Sequence, residues 1–264
     1  MKKISVVLIT KNEEGRIAAC LESVSWADEI IVVDGESEDR TVEIARRFTS
    51  KVVTRRFDNF THQKNFGLDQ ASGEWIFSID ADEVVSPLLR DSLLRVVGKS
   101  SPFDGFLIQR INYLFGRRLR FAGQDKEKIL RFFRKEKGRF VQPIHEKVQV
   151  EGRVGKISGE LLHYSSRTVS EYLNKLRLYT DLEVQWLAQK KVKVTAMDIA
   201  VKPVVLFLRN YFLRLGLLDG FEGFLYHSLS AFNLLLKYAR LTETTAPGTC
   251  TKKSSESFSF VPSR

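Results

Sequence analysis

From Ile4 to Arg95 the chain alternates between short apolar runs and helical patterns, and this rhythm constrains the fold more than any other feature. Ile4–Thr10 is a continuous run rich in β-branched residues, as expected of a strand buried on both faces. Ile17, Cys20, Leu21 and Val24 follow at helical spacing. Glu29–Asp34 reads as a second strand. Ser37–Phe48 reads as a helix with acids at its start and Arg46 and Arg47 near its end, as the macrodipole prefers. Lys51–Thr54 is a short third strand, Thr61–Ala71 a helix that stops at Ser72-Gly73, and Glu74–Asp80 a fourth strand. Ser86-Pro87 opens another helix, with serine as N-cap and proline at the first helical position. Such alternation means βαβ units, a parallel sheet and helices on both faces. Ligands of these sheets bind at the carboxyl ends of the strands, so the polar residues just after each strand matter most.

Beyond residue 100 the pattern changes. Phe106–Tyr113 alternates, Gly116 marks a turn, and Ile129–Arg134 and Lys147–Val150 read as strands, giving a mixed β region. From Val169 the pattern is helical, over Val169–Gln189, Met197–Leu215 and Phe221–Leu241. Residues 242–264 are rich in Thr, Ser and Lys, and a disordered tail is expected there. The expected division is residues 1–167 as an α/β catalytic domain, with a ligand-binding half (1–98) and a second half (99–167), then a helical extension (168–241) and the tail. Cys20 and Cys250 are the only cysteines, which makes neither a disulfide framework nor a zinc site and fits a reducing compartment. The apolar run after Met1-Lys2-Lys3 is too short for a signal-peptide core, so it reads as the first strand of a cytosolic fold.

The net charge of +10 is unevenly distributed. Residues 1–98 hold 13 bases and 17 acids, residues 99–167 hold 16 and 7, and residues 168–264 hold 13 and 8. An acidic front half and a basic remainder point to a folded module followed by a part that meets an anionic ligand or surface.

Asp80-Ala81-Asp82-Glu83 is the strongest chemical signal, because a buried strand runs straight into three carboxylates. Such crowding is electrostatically costly without a cation, and Mg²⁺ or Mn²⁺ held by one or two carboxylates plus ligand phosphates would relieve it. The alternative is an acidic turn before the Ser86 cap. Asp34 ends the second strand, followed by Gly35 and Ser37 in a turn and Asp39 and Thr41 at a helix start. A carboxylate there can accept a base N–H or a ribose hydroxyl, or the segment can simply cap the helix. Thr10-Lys11-Asn12-Glu13 carries the same two readings. Neither a GxGxxG nor a GxxxxGK[ST] motif is present, which leaves an ordinary dinucleotide or P-loop reading without support.

Four blocks occur in order: Val7–Glu13; Ile31–Asp34 with Ser37–Thr41; Gln63–Gly67; and Ala71–Trp75 through to Asp80-Ala81-Asp82-Glu83. Together they resemble glycosyltransferase family 2, over about residues 3–90. The resemblance implies the GT-A fold: a Rossmann-like mixed α/β sheet flanked by helices, here with a C-terminal helical extension. It implies a nucleotide-sugar donor, with Thr10, Asn12, Glu13, Asp34, Lys64, Asp80 and Ala81 on the donor side. Asp80 and Asp82 would form the DxD-type metal site, Asp82 being the expected direct ligand of Mg²⁺ or Mn²⁺ and His163 completing the shell. Glu36 and Arg40 depart from the smaller or neutral residues usual in the second block, which bears on donor selectivity.

Gln142–Glu146 and Leu162-His163-Tyr164 resemble, more loosely, a bacterial subgroup that includes lipopolysaccharide core β-1,4-glucosyltransferases. Trp26–Glu29, Tyr172–Lys175 and Gly216–Gly220 fit the same subgroup. This implies an inverting transfer of a hexose, glucose from UDP-glucose, to a phosphorylated lipid-linked glycan, with no glycosyl-enzyme intermediate. Glu146 is expected as the general base, in a segment where the family carries one, with Asp82 as the second catalytic group through its cation. His145, Arg131 and Arg134 are expected on the acceptor. His62 and His227 have no supporting context.

The longest uncharged stretch near the end, Gly223–Leu236, is 14 residues, short of the roughly 20 that span a bilayer. Val201–Leu218 is apolar but broken by Lys202, Arg209 and Arg214. Aromatics and cations together suit interfacial helices on an anionic membrane surface, or else a helical unit packed on the core. The expected location is therefore cytoplasmic, peripheral on the inner face of the bacterial cytoplasmic membrane. Competing readings are a polyprenyl-phosphate sugar transferase, a nucleotidyltransferase, and a basic nucleic-acid-binding module. The acidic strand ends argue against nucleic acid as a partner.

Overall fold

The computed structural model describes residues 3–99, 101–125, 127–142 and 146–245. The first half alternates as expected: β1 (Ile4–Thr10), α1 (Ile17–Ser23), β2 (Glu29–Asp34), α2 (Thr41–Ala45), β3 (Val52–Thr54), α3 (Phe60–Gln70) and β4 (Trp75–Asp80). β1 lies between β2 and β4, parallel to both, and β3 runs parallel on the outer side of β2. The register pairs Thr10 with Asp34, Asp34 with Thr54, and Ile9 with Asp80, so the polar strand ends share one edge. Ile4, Val6 and Leu8 point into one core layer with Ile17, Leu21, Leu89 and Leu93. Val7 points into the other, with Leu68, Ile76 and Phe133. This period of two is what a strand covered on both faces requires.

α2 is shorter than the sequence pattern. Ser37 donates its hydroxyl to Asp34 (2.6 Å) and accepts the backbone N–H of Asn12 (2.8 Å). Asp39 accepts the backbone N–H groups of Glu14 (3.1 Å) and Thr41 (3.0 Å). These local bonds compete with helix formation and delay it to Thr41.

The second half holds β5 (Glu83–Val85), α4 (Pro87–Gly98), β6 (Gly105–Leu114), β7 (Arg117–Arg118), β8 (Lys128–Arg134), β9 (Gly138–Val141), β10 (Lys147–Val150) and β11 (Val154–Tyr164). The main sheet runs β3-β2-β1-β4-β8-β6-β11-β5, with β7 beside β6, and β9 and β10 form a separate hairpin pair. β8 is antiparallel to both β4 and β6, so the sheet is mixed from β8 onward. Only Ala81 and Asp82 separate β4 from β5, although β5 lies at the far end of the strand path. The three steps from Asp80 to Glu83 reach only about 10 Å, so the sheet must curl until its far edge approaches β4. β11 has a bulge between Lys156 and Glu160. Gly159 sits there at φ +101°, and a Cβ on it would lie 2.2 Å from the backbone nitrogen of Leu89. Only glycine allows α4 this close.

Three helices follow: α5 (Val169–Gln189), α6 (Ala196–Leu208) and α7 (Gly220–Thr245). The helix expected over Met197–Leu215 ends early, in a π turn (Arg209–Leu213), a left-handed Leu215 (φ +61°) and a 3₁₀ turn (Gly216–Asp219). α7 continues past the expected end at Leu241. The rest of the expected tail, residues 246–264 with Cys250, lies outside the described residues. Thr180 donates to Asn233 (2.6 Å) and Lys237 pairs with Glu183 (2.8 Å), binding α5 to α7. The buried Asp219 carboxylate accepts the backbone N–H groups of Arg120 (2.9 Å) and Phe121 (3.0 Å), which ties the helices to the sheet. Among the described residues no helix is long and apolar enough to cross a membrane.

Candidate active site

The site grows from the ends of β1, β2 and β4. The β1 loop and the β2 loop are stitched together through backbone N–H groups. Asn12, at φ +53°, donates to Ser37 (2.8 Å), Glu13 donates to Thr41 Oγ1 (2.8 Å), and Glu38 donates back to Asn12 Oδ1 (2.8 Å). Asp34 is buried and receives both the hydroxyl and the N–H of Ser37. The capping role foreseen for this segment is therefore present. Thr10 is buried at the same edge, and its hydroxyl has no hydrogen-bond partner.

The turn after β4 separates its two aspartates electrostatically. Asp80 faces Lys64 Nζ (2.9 Å) and Arg131 Nη2 (2.7 Å). Burial pushes the Asp80 carboxyl up, but Arg131 and Lys64 together outweigh it and hold it below the usual carboxylate range. Lys64 is itself only 1% exposed and also reaches Glu146 Oε1 at 2.7 Å, so one ammonium bridges Asp80 and Glu146. Asp82 faces Lys175 Nζ (2.9 Å) and His163 Nε2 (3.6 Å). Burial again raises its carboxyl, and His163 and Lys175 reverse the effect. Glu83 points inward, fully buried, where its Oε2 accepts the Asp80 N–H (3.0 Å) and Arg110 stands 3.6 Å from its Oε1. Burial, then the charge on Asp80, raises the Glu83 carboxyl above its ordinary value. The acidic turn is thus shared among three surroundings, each with its own cation.

His163 is oriented from behind. Its Nδ1 lies 2.8 Å from Asn112 Oδ1, while the Asn112 amide donates to Glu127 (3.1 Å). That chain requires Nδ1 to carry the proton and leaves Nε2 toward Asp82. A carboxylate and an imidazole side by side at the end of the sheet form a chemically apt donor set for a divalent cation. They number two, and among the described residues no group of three or more His, Cys, Asp or Glu is arranged to hold a metal. Oxygens of a bound diphosphate would have to complete such a shell.

The structure brings Thr10, Asn12, Glu13, Asp34, Lys64, Asp80, Asp82, Glu146 and His163 to one end of the sheet. Ala81 is buried in the turn and belongs to the core. Of the three expected metal ligands, Asp82 and His163 face each other and Asp80 is given over to Lys64 and Arg131. Two of the expected acceptor residues need correction. Arg131 is buried against Asp80 and forms part of the site's interior. Arg134 lies at the opposite end: β8 is antiparallel to β4, so Arg134 pairs with Trp75, at the start of β4. There it stacks over the Trp75 ring (4.6 Å) and forms ion pairs with Glu74 and Asp104. Its neighbours Lys135 and Arg139 also face away, toward Ala71 O and Asp69. His145 lies outside the described residues.

The sequence pattern put α5 in the helical extension and Tyr172–Lys175 among the subgroup segments, but gave none of its residues a place in the site. Glu171, Lys175 and Tyr179 recur at i, i+4, i+8, on one helix face. Glu171 pairs with Arg16 (2.6 Å), Lys175 reaches Asp82, and the Tyr179 ring stacks on Phe60 (centroids 5.4 Å apart). Phe60 in turn lies one helical turn before Lys64 on α3. The one-turn spacing was a visible signal; the sheet end that it meets was not.

An uncharacterised glycosyltransferase of Rickettsia typhi, RT0209, is 31% identical over 261 residues, covering 92% of this chain and 88% of that one. The lipopolysaccharide core biosynthesis glycosyltransferase LpsC of Rhizobium meliloti is 29% identical, covering 89% of this chain and 93% of that one. Among solved structures, the mannosyltransferase PcManGT from Pyrobaculum calidifontis, in complex with GDP-Man and Mn²⁺, matches with a TM-score of 0.55 at 13% identity, over 93% of this chain and 88% of that one. That likeness shows the GT-A fold. Residues 5–150 match the family described as Glycosyl transferase family 2, and the chain belongs to that family.

Proposed function

We propose that this glycosyltransferase moves a hexose, glucose from UDP-glucose, with inversion onto a phosphorylated lipid-linked glycan such as a lipopolysaccharide inner core. The observation that carries the reading is the Lys64 bridge, which holds Glu146 beside the Asp80–Asp82 turn. An inverting transfer needs a carboxylate for the acceptor hydroxyl within reach of the donor, and the bridge supports the reading by joining Glu146 to Asp80 at the start of the acidic turn. The relatedness to LpsC along nearly the whole chain supports the acceptor class.

In this reading Thr10, Asn12, Glu13 and Asp34 line the nucleoside end, where the partnerless Thr10 hydroxyl awaits a hydrogen bond. Asp82 and His163 would hold Mg²⁺ or Mn²⁺, which would offset the negative charge of the leaving diphosphate. Glu146 takes the acceptor proton. Asp80, fixed by Lys64 and Arg131, keeps the turn in place and faces the donor.

In the same reading the protein sits at the inner face of the cytoplasmic membrane, attached through α6, the π turn and the start of α7. Leu213 (80% exposed), Phe221 (71%) and Met197 (70%) stand out there, with Val204, Val205 and Phe212 beside them and Lys202, Arg209 and Arg214 interspersed. Exposed aromatic and aliphatic side chains set among cations fit an anionic leaflet. The test is sugar transfer by Asp82→Ala and Glu146→Gln, with circular dichroism as the control for folding. Full activity of either variant would remove that residue from its role. Calorimetry with UDP, GDP and CTP, each with and without Mn²⁺, tests the donor; metal-dependent UDP binding is expected.

A further inference from the structure

Lys175 belongs to the helical extension, yet its ammonium lies in the acidic pocket at the end of the sheet. Nζ is 2.9 Å from Asp82 Oδ2, 2.8 Å from the carbonyl oxygen of Ser165, and 3.8 Å from carboxylate oxygens of both Glu13 and Glu171. Three carboxylates and one carbonyl thus surround one cation. Arg16 braces the same group, at 3.0 Å from Glu13 and 2.6 Å from Glu171. The arrangement is specific, since Lys175 is the cation on Asp82 while Lys64 and Arg131 serve Asp80.

We infer that Lys175 is a positioning residue that occupies the cation's place on Asp82 while the donor is absent, and so makes divalent-cation binding conditional on the nucleotide. This rests on the donor reading above. Two positive charges cannot share Asp82 at contact distance without strong repulsion. For Asp82 to serve a metal, Lys175 must swing away, and Glu13 and Glu171, each 3.8 Å off, offer it acidic partners within the same pocket. A diphosphate arriving with the cation brings the negative charge that lets both cations stay. Because Lys175 lies on α5, the exchange ties that helix to donor loading.

The experiment measures Mn²⁺ binding by the free-ion electron paramagnetic resonance signal, with and without UDP, for the full-length wild type, Lys175→Met and Lys175→Gln. Glutamine retains a donor for the Ser165 carbonyl, which guards against a purely structural loss. The wild type should bind Mn²⁺ weakly alone and far better with UDP. Both variants should bind Mn²⁺ alone on the order of tenfold more tightly than the wild type. The enhancement by UDP should shrink in both. Thermal melts should agree, with Mn²⁺ alone raising the midpoint of the variants more than that of the wild type. Variants that bind Mn²⁺ no more tightly than the wild type, while the wild type shows UDP-dependent binding, would overturn the inference and leave the donor reading standing. A wild type that binds neither Mn²⁺ nor UDP in any combination would overturn both.

Discussion

Lys64→Met tests the centre of the site directly. The methionine fills similar volume but deletes the ammonium that stands 2.9 Å from Asp80 and 2.7 Å from Glu146, on a side chain only 1% exposed. Two carboxylates then face each other across an apolar thioether. Removing one partner of a buried ion pair typically costs about 3–5 kcal/mol. Arg131 still holds Asp80 at 2.7 Å, so the carboxylate at risk is Glu146, and the lower half of that range is the expectation. In urea unfolding the midpoint should fall with an unchanged slope. Adding Glu146→Gln removes the uncompensated charge, so the double variant should recover about 1–2 kcal/mol relative to the sum of the single ones. UDP binding should weaken in Lys64→Met, because Asp80 loses half of its anchoring. A Lys64→Met cost below about 1 kcal/mol, or a strictly additive cycle, would refute the view that one ammonium joins the two carboxylates.

Further outcomes are expected elsewhere. Glu146→Gln should lower transfer by about 10²–10⁴-fold at unchanged UDP affinity, as befits a lost general base, in a steady-state assay. Glu29, at the start of β2, is raised by burial but lowered more strongly by Lys51, Ser5 and Ser72, and its carboxyl comes down to about 2. Its stabilising contribution is therefore full above the ordinary value of 4.5 and is lost as the pH falls toward 2. Urea melts of Glu29→Gln should show a deficit of about 1–2 kcal/mol at neutral pH that narrows below pH 4.5, after allowance for solvent screening. Gly159→Ala should destabilise by about 2–4 kcal/mol in thermal melts, because both its φ and the Leu89 backbone oppose a Cβ. Replacing Leu213 and Phe221 by serine should reduce sedimentation with vesicles containing anionic lipid while leaving the melting midpoint within a few degrees.

The parts legible in the sequence were those set by local pattern. β1 and β2 were readable to the residue because both of their faces are buried, which leaves an uninterrupted apolar run. The Ser86–Pro87 start of α4 followed from capping chemistry, and Ser86 does accept the Leu89 N–H (3.3 Å). β5 and β11 were not legible. β5 is three residues long and begins inside the acidic turn, and β11 carries Lys156, Ser158, Gly159 and Glu160 in its middle. Within the site, Thr10, Asn12, Asp34, Asp80 and Asp82 could be found because each follows a recognisable strand. Arg134 could not be placed correctly, because its end of β8 depends on an antiparallel pairing that no local signal encodes. Lys175 stood out only as the end of the Tyr172–Lys175 segment, and its place beside Asp82 was not legible for a related reason. Its spacing from Glu171 and Tyr179 marks a helix face, but the choice of that face's partner comes from tertiary packing.

The seam between α/β unit and helical extension looks, on the linear chain, like a natural place to cut. The ion pairs across it say otherwise. A fragment ending at residue 167 would strand Asp82 and Glu13 without Lys175, and Arg16 without Glu171. It would also uncover the backbone N–H groups that Asp219 receives from Arg120 and Phe121. A junction after Gln189 would fare no better, since Asn233 and Lys237 of α7 hold Thr180 and Glu183 of α5, and Asp219 holds the sheet. Chimeras among relatives should therefore exchange the sheet, α5 and α7 together, which leaves the exposed face of α6 and the π turn as the part able to change without breaking these ties.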